Sequence, residues 1–341
     1  MSSLSTSFTS FILEQTRARN ADVLAFEKLS GGAIQDNFGL SLYLEGGSRP
    51  GTQHFVVRQD APSGVAESLT RPQEFAVLRR AFEAGVSAPE PLWICNDTSL
   101  TGRVFYVMAR AGGTASPRRL VKADYSPEER RAIVFRFGEE LARLHSIQPP
   151  EPALEFLPLP NPKNAALSRV NLYRRYLSDI GEPHPVLEWA LNWLEDQAPE
   201  PDQLVLCHCD FRTGNYMLQD NQLSAILDWE FASWSDPCED LGWLCSRSWR
   251  FGANDYEVGG IGFKSDLFAG YHSVSNRSLD PQRVRYWEVM ALVRWAAIAL
   301  QQARRHMSGE QPSLELALTG RMVAQMEFDL LNQITESGAA A

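Results

Sequence analysis

Alternating apolar and polar positions dominate the first third of the chain. They predict three β-strands, then a helix that stops at Gly85, then two further strands. The pairs Gly31-Gly32 and Gly46-Gly47 separate the first three strands and are typical of turns. The predicted elements are strands 24–29, 38–44 and 54–59, helix 72–84, and strands 91–95 and 104–108. This order favours an antiparallel sheet with one helix packed on it.

From about residue 112 onwards the apolar positions recur at helical spacing. Ser126-Pro127-Glu128-Glu129 is a capping box, which begins a helix that reaches Leu144. Two short strands with Asp220-Asn221 as their turn interrupt the later helices. The predicted elements are helices 126–144, 168–178, 185–196 and 281–306, a loop at 158–164, and strands 216–218 and 224–227. We therefore expect an α+β fold with a small lobe at 1–110 and a larger helical lobe at 111–341.

Composition narrows the class of protein. The 341 residues include 44% hydrophobic residues and carry a net charge of −10, which is typical of a globular chain and argues against nucleic-acid or anionic-membrane partners. No run approaches about 18 apolar residues, so no membrane-spanning helix is expected. The N-terminus lacks the pattern of a secretory signal, and the five cysteines are an odd number. These features favour a reducing, cytoplasmic location.

The segment with the clearest chemistry begins at His208. His208-Cys209-Asp210 is followed by Asn215, which fits the pattern H-x-D-x-x-x-x-N of a kinase catalytic loop. Phosphoryl transfer needs a carboxylate aimed at the acceptor hydroxyl, with hard oxygen ligands nearby for magnesium. A tight loop with this spacing can turn Asp210 and Asn215 towards one cavity.

A second carboxylate, Asp228, follows an apolar strand one hairpin later. Each of these features alone has an ordinary explanation, because Asp228 can end a strand and Asn215 can form an Asx turn after Gly214. The combination of loop, hairpin and strand-end aspartate, placed after a sheet with one helix, indicates a kinase.

On these residues the chain resembles the aminoglycoside phosphotransferase family, which has a protein-kinase-like bilobed fold. Within that family it is most similar to the kinase domains associated with acyl-CoA dehydrogenases. The motifs that carry the resemblance are Leu29-Ser30-Gly31-Gly32, Val56-Val57-Arg58, Glu74, Tyr106-Val107-Met108, the His208 loop, Asp228-Trp229-Glu230, Asp236-Pro237, Asp240-Leu241, Tyr286-Trp287-Glu288 and Arg294-Trp295. They run through nearly the whole chain in order, with Cys209 in place of the family's common glycine.

The resemblance implies an ATP-dependent small-molecule kinase that uses Mg²⁺. In this reading Asp210 is the catalytic base, and Arg212 stabilises charge on the transferring phosphoryl group. Asn215 and Asp228 would hold Mg²⁺. Residues 111–341 would carry the catalytic loop and the acceptor site, and Asp236 and Asp240 would brace that loop.

The resemblance also assigns 1–110 as a nucleotide-binding lobe that closes on the larger lobe about a hinge at 109–114. Arg58 stands where most kinases have a lysine on the α- and β-phosphates, and Glu74 would pair with it. The further residues expected at the nucleotide are Gly31, Gly32, Asn37, Met108 and Arg110.

Other readings have less support. Cys207, His208, Cys209 and Asp210 are adjacent, and neighbouring side chains diverge too much to share one zinc ion. A nucleophile elbow G-x-S-x-G is absent. A catalytically silent, nucleotide-binding pseudokinase remains an alternative, although the base and both metal ligands are present.

The acceptor is the open question. The family implies a small-molecule alcohol, and two classes compete: a hydroxyacyl-CoA or similar metabolite, which is favoured, and an aminoglycoside antibiotic. An anionic thioester needs positive charge in the helical lobe, and the residues that could supply it are Arg285, Arg294, Arg304 and Arg305. Either a monomer or a homodimer is compatible with the sequence.

Overall fold

The computed structural model of the protein describes residues 3–29, 35–60, 68–161, 165–201 and 203–339. The chain forms two compact units. The first comprises Met1–Gly113, Glu151–Phe156 and Ser224–Ala232, and the second comprises Thr114–Pro150, Leu157–Leu223 and Ser233–Ala341. Two short segments that follow Gly113 in sequence, one of which contains Asp228, therefore belong to the first unit.

The first unit is built on a five-stranded antiparallel sheet with the strand order β1-β2-β3-β5-β4. Its elements are α1 (Ser3–Thr16), β1 (Asn20–Lys28), β2 (Gln35–Glu45), β3 (Gly51–Asp60), α2 (Arg71–Glu83), β4 (Pro91–Cys95) and β5 (Phe105–Ala109). The sheet and its single inserted helix confirm the α+β prediction for this part of the chain.

Helix α1 is an element that the sequence analysis did not predict. Its Ser- and Thr-rich sequence has modest helix propensity, and the structure supplies the stabilisation through packing. Phe8, Phe11 and Ile12, at helical spacing, are buried in the same core as strand residues of the sheet. The Phe8 and Phe11 rings both meet Phe105 edge-on, at centroid distances of 5.0 and 5.1 Å.

The remaining elements are mostly helical, as predicted. In chain order they are α3 (Pro117–Lys122), α4 (Pro127–Leu144), α5 (Ala165–Ile180), α6 (Pro185–Asp196), β6 (Val205–Cys207), β7 (Tyr216–Gln219), β8 (Gln222–Ile226), β9 (Ser233–Ser235), α7 (Pro237–Cys245), α8 (Lys264–Val274), α9 (Pro281–Met307), α10 (Leu314–Arg321) and α11 (Val323–Ala339). Strands β6 and β9 pair antiparallel over three residues, too few to leave a readable pattern in the sequence.

Helix α9 is the centre of the second unit, because α5, α6, α7, α10 and α11 all pack on it. Elsewhere in this unit α4 crosses α8 closely, through Gly138 and Gly270. A Cβ atom at either glycine would overlap backbone atoms of the facing helix. This close packing fixes α4, and His145 at its C-terminal end lies 3.2 Å from Asp240, which contacts the 208–215 loop. No helix in the described ranges is both long and apolar enough to cross a bilayer.

Candidate active site

Arg58 is the centre of a buried ion cluster in the first unit. It lies in β3, and its side chain is 3% exposed. Its Nε–H donates to Glu74 of α2 at 3.2 Å, and its Nη1–H donates to Asp228 at 2.6 Å. Burial by itself lowers the pKa of Arg58, but Glu74 and Asp228 outweigh it and raise the pKa well above its ordinary value. Arg58 is therefore a fixed cation that joins α2 to the segment carrying Asp228.

The sequence analysis did not identify the second arginine of this cluster, Arg71. It is the first residue of α2 and is 1% exposed. It forms a salt bridge with Glu74, one with Asp60 at 2.9 Å, and a longer contact with Glu230 at 3.7 Å. In the sequence, Arg71 is an arginine directly before Pro72 at the start of a helix, and an arginine at such a position is usually exposed to solvent. Only the fold shows that Glu74 is shared between two arginines.

Glu230, the last residue of the Asp228-Trp229-Glu230 motif, is held between these two arginines at longer range. Its carboxylate lies 3.9 Å from the Arg58 guanidinium, and its carbonyl oxygen accepts the Leu69 N–H at 2.8 Å. Burial raises the pKa of Glu230 to about 7; the arginines oppose this shift, and Glu74 reinforces it. This side chain is therefore poised to change charge near neutral pH.

The other predicted nucleotide residues lie around the same sheet. The carbonyl oxygen of Asn37 in β2 accepts the Leu29 N–H at 2.8 Å, and Asn37 is paired with Arg58 in the strand register. Met108 lies in β5, and the exposed Arg110 forms a salt bridge with Glu27 at 2.9 Å. Gly31 and Gly32 of the predicted phosphate loop lie outside the described residues. The nucleotide-binding role of this group stays a prediction.

Asp210 is the centre of a hydrogen-bonded loop between β6 and β7 in the second unit. Its Oδ2 accepts from Asn215 Nδ2 at 2.5 Å, and its Oδ1 accepts from Arg212 Nε at 3.2 Å and from Trp243 Nε1 at 2.9 Å. Three donors from three side chains thus fix the direction of one carboxylate. Asn215 also donates to the Asp210 carbonyl at 2.9 Å, which closes the loop on itself.

Asp240 of α7 holds the start of this loop through hydrogen bonds to its backbone. Its oxygens accept the backbone N–H of His208 at 2.8 Å and of Cys209 at 2.7 Å, and a ring nitrogen of His145 lies at 3.2 Å. Burial by itself raises the pKa of Asp240, but His145 and His208 outweigh it, so the pKa is lowered. The carboxylate therefore stays ionised in a fully buried position.

Cys209 occupies a backbone conformation that favours glycine, with φ at 59°. Its thiol lies 3.2 Å from the Ser233 hydroxyl and 3.7 Å from Arg169 Nη2. The family's common glycine suits this φ without strain, and the small cysteine side chain fits the space that remains.

Two arginines beside Asp210 are stacked on tryptophan rings. The Arg212 guanidinium lies 4.5 Å from the Trp249 ring centre, and that of Arg294 lies 4.2 Å from the ring centre of Trp243. Arg294 of α9 also donates to the Cys209 carbonyl at 2.5 Å. Among the described residues, no carboxylate lies within salt-bridge distance of Arg294, although, against the opposing effect of burial, Asp210 and Glu239 raise its pKa from a longer distance.

The other arginines considered for an anionic acceptor point to backbone or amide oxygens. Arg285 donates to the Gln333 carbonyl at 2.8 Å, and Arg304 donates to the Asp179 carbonyl at 2.5 Å. Arg305 contacts the Gln311 side chain at 2.5 Å. Of the four, Arg294 is the one that, among the described residues, donates to the 208–215 loop.

A possible metal-ligating group also occurs under the loop, where ligand atoms of His145, Cys207 and Asp240 lie within 4.8 Å of one another. Hydrogen bonds already occupy these atoms. His145 Nδ1 meets the Tyr271 hydroxyl at 3.1 Å, its Nε2 meets Asp240, and the Cys207 thiol donates to the Asp236 carbonyl at 3.4 Å. The group is accounted for as structural support of the loop.

The chain matches the model of the phosphotransferase enzyme family over residues 26–287. Among curated proteins it is 27% identical over 302 residues to acyl-CoA dehydrogenase family member 11 of Rattus norvegicus, which covers 82% of this chain and 38% of the relative. The human protein of the same name is 30% identical over 215 residues, which cover 59% of this chain and 27% of the relative. The chain thus spans well under half the length of these relatives.

Solved structures agree on the fold. A Ralstonia eutropha protein described as an aminoglycoside phosphotransferase superposes with a TM-score of 0.76 at 20% identity, covering 97% of this chain and 98% of that one. A thermostable mutant of aminoglycoside phosphotransferase APH(4)-Ia, in complex with ADP and hygromycin B, superposes with a TM-score of 0.62 at 15% identity, covering 96% and 98%. These likenesses confirm the predicted kinase-like fold.

The match of family model, relatives and fold confirms the resemblance drawn from the motifs, and with it the prediction of a phosphotransferase. The matched range contains both the Arg58 cluster and the Asp210 loop. This chain belongs to the phosphotransferase enzyme family.

Proposed function

We propose that this protein transfers the γ-phosphate of ATP to a hydroxyl group of a small anionic molecule, with a hydroxyacyl-CoA as the favoured acceptor. The observation that carries the proposal is the arrangement of Asp210, whose carboxylate is oriented by Asn215, Arg212 and Trp243. A carboxylate fixed in this way is suited to orient an acceptor hydroxyl and to take its proton as the new phosphate ester forms.

Each of the two predicted metal-binding residues carries an oxygen that suits Mg²⁺. Asn215 uses its Nδ2 on Asp210, which leaves its Oδ1 for a cation, and the Asp228 side chain is 29% exposed. Both supply the hard oxygen ligands that Mg²⁺ takes in nucleotide sites. When bound, the ion would neutralise charge on the phosphates. We therefore propose Asn215 and Asp228 as its protein ligands.

ATP as the donor is supported by the likeness to structures solved with ADP and with AMP-PNP. Arg58 is a buried cation with its Nη2 free of close hydrogen bonds in the described part of the chain, and is proposed to contact the α- and β-phosphates. Glu74 fixes the Arg58 guanidinium, so its proposed role is positional. Arg212 is proposed to offset charge on the phosphoryl group in transfer.

The acceptor class follows from charge beside Asp210. Arg294 donates to a backbone carbonyl there and lies over the face of Trp243, and it forms no salt bridge among the described residues, although Asp210 and Glu239 interact with it at longer range. A cation in that position favours an anionic acceptor and disfavours a polycationic aminoglycoside. The acyl-CoA dehydrogenase relatives point in the same direction.

The test is a panel of hydroxyl acceptors incubated with the chain, ATP and Mg²⁺, and read by mass spectrometry for the gain of one phosphate. We expect phosphorylation of a 4-hydroxyacyl-CoA and none of kanamycin. Phosphorylation of kanamycin alone would refute the anionic acceptor class and would support the aminoglycoside alternative.

The role of Asp210 is tested with Asp210→Asn, which keeps the shape and removes the base. We expect turnover to fall by about 10²- to 10⁴-fold. Asp220→Asn is the matched control, because Asp220 is exposed in the β7–β8 turn at a φ of 50°, which asparagine tolerates. Unchanged turnover in Asp210→Asn would show that Asp210 is not the base, and no turnover by the unsubstituted chain on any acceptor would favour a pseudokinase.

A further inference from the structure

A cavity of about 450 Å³ opens within the second unit, between α8, α9, α11 and the segment after α7. That volume is within the roughly 300–1,000 Å³ of small-molecule sites. None of the residues that line it belongs to the catalytic loop 208–215. The titratable lining residues are four cations and two carboxylates: Arg247, Arg250, Lys264, Arg285, Glu288 and Asp329.

Two of the four cations are paired within the cavity. Lys264 forms a salt bridge with Glu288, and Arg247 forms one with Asp329 at 3.3 Å. Burial raises the pKa of both carboxyl groups, while Lys264 and Arg250 oppose the shift of Glu288, and Arg247 and Arg250 oppose that of Asp329. With four cations against two carboxylates, the lining carries an excess of positive charge.

The other two cations, Arg250 and Arg285, have no salt-bridge partner among the described residues. Arg250 donates to the Cys245 carbonyl at 2.9 Å, and Arg285 donates to the Gln333 carbonyl at 2.8 Å. The Nε–H of each is buried and meets no acceptor in the described ranges. Buried donors of this kind in native proteins usually meet a water or an ion.

We propose that this cavity binds an anion of the phosphate-ester or diphosphate type, held by Arg247, Arg250 and Arg285. Guanidinium groups match phosphate oxygens with paired, charge-assisted hydrogen bonds, which an ammonium group or a neutral side chain does not provide. The anion can be the distal part of the acceptor or a separate small molecule, and the chemistry is the same for both.

A link to the catalytic loop makes the site relevant to activity. Trp249 lies between Arg247 and Arg250 in sequence, is 4% exposed, and is the ring on which Arg212 stacks. It also packs against Trp243, the donor to Asp210, at a centroid distance of 4.9 Å. An anion that orders Arg247 and Arg250 therefore also orders Trp249 between them. Trp249 contacts Arg212 and Trp243, and both of these donate to the Asp210 carboxylate.

The experiment is titration of the full chain with sodium pyrophosphate in Mg²⁺-free buffer, followed by calorimetry, which requires no turnover. We expect saturable binding, and an increase of about tenfold in Kd for Arg247→Gln and for Arg285→Gln, each of which removes a charged donor. Arg175→Gln, at an exposed position of α5 outside the cavity, is the matched control and should bind as the unsubstituted chain does. The Arg247 side chain is 49% exposed, so its replacement does not disturb the core.

Two results would overturn the site: no binding up to about 1 mM pyrophosphate, or an equal Kd in both cavity variants and the control. Coenzyme A separates the two sources of the anion. If coenzyme A displaces pyrophosphate and its binding is weakened by the same variants, the cavity holds the distal end of a thioester acceptor. If pyrophosphate binds and coenzyme A does not compete, the cavity holds a separate small anion. Because the readout is binding, a failure here is distinguishable from a failure of the proposed phosphoryl transfer.

Discussion

Replacing Glu230 with glutamine should change how the stability of the protein depends on pH. Glu230 is a buried carboxyl group between Arg58 and Arg71, and its pKa is raised to about 7. In the unfolded chain its pKa returns to about 4.5. Between these two values the folded protein keeps a proton that the unfolded chain has released, so the unfolded state is increasingly favoured as pH rises.

The magnitude follows from the two pKa values. A difference between about 7 and 4.5 corresponds to about 3 kcal/mol of unfolding free energy, lost progressively as the pH rises from the lower value through the upper. Below the lower value the carboxyl is protonated in both states and contributes no pH dependence. Glu230→Gln keeps the shape of the neutral side chain and removes this loss.

The assay is urea unfolding of both proteins across this range, followed by tryptophan fluorescence and circular dichroism. The unfolding free energy of Glu230→Gln minus that of the unsubstituted protein should rise by about 2 to 3 kcal/mol from about pH 5 to about pH 8. Glu83→Gln, at an exposed position of α2, controls for the loss of one carboxylate. A difference that stays flat with pH would refute the raised pKa, and one that falls would mean that the arginines outweigh burial.

Three further substitutions test the loop around Asp210, the packing of α4 on α8, and the ion cluster around Arg58. Asp240→Asn should lower the unfolding free energy by about 3 kcal/mol, measured by urea unfolding at neutral pH. The asparagine places an amide N–H against one of the two loop N–H groups that the carboxylate accepts. A loss below about 1 kcal/mol would contradict the role of Asp240 in holding the loop. Gly138→Ala should lower the thermal midpoint by an amount equivalent to about 1 to 3 kcal/mol, because its Cβ overlaps the backbone of α8. An unchanged midpoint would show that α4 and α8 can move apart without loss of stability. Arg58→Lys should raise the KM for ATP by about tenfold with the fold retained, because one ammonium group cannot contact both Glu74 and Asp228. An unchanged KM would show that Arg58 does not contact the nucleotide.

Much of the architecture was readable from local patterns. The alternation that predicted the five strands, and the capping box at Ser126, are signals within a few residues of one another, and the structure bears them out. Helix α1 was missed because its stability comes from burying Phe8, Phe11 and Ile12 against the sheet. The three-residue strands β6 and β9 were missed because each exists only through pairing with the other.

The residues of the candidate site also differ in how far the sequence could identify them. Asp210 and Asn215 lie within six residues, so their spacing alone indicated that they act together, and the family resemblance added Arg212 between them. Trp243 and Arg294 come from helices far along the chain; the sequence analysis named Arg294 as a candidate for the acceptor site and did not name Trp243. Their positions depend on how α7 and α9 pack.

The sequence by itself determined the five strands of the first unit, most of the long helices, the kinase-loop motif and the family to which they point, because each depends on residue types at short spacing. Only the tertiary structure decided that Arg71 shares Glu74 with Arg58, that Glu230 is buried between two arginines, and that Asp240 accepts the amides of His208 and Cys209. The physical reason is that burial and charge pairing arise between residues distant in sequence, and these set the pKa values and orientations on which the proposed chemistry depends.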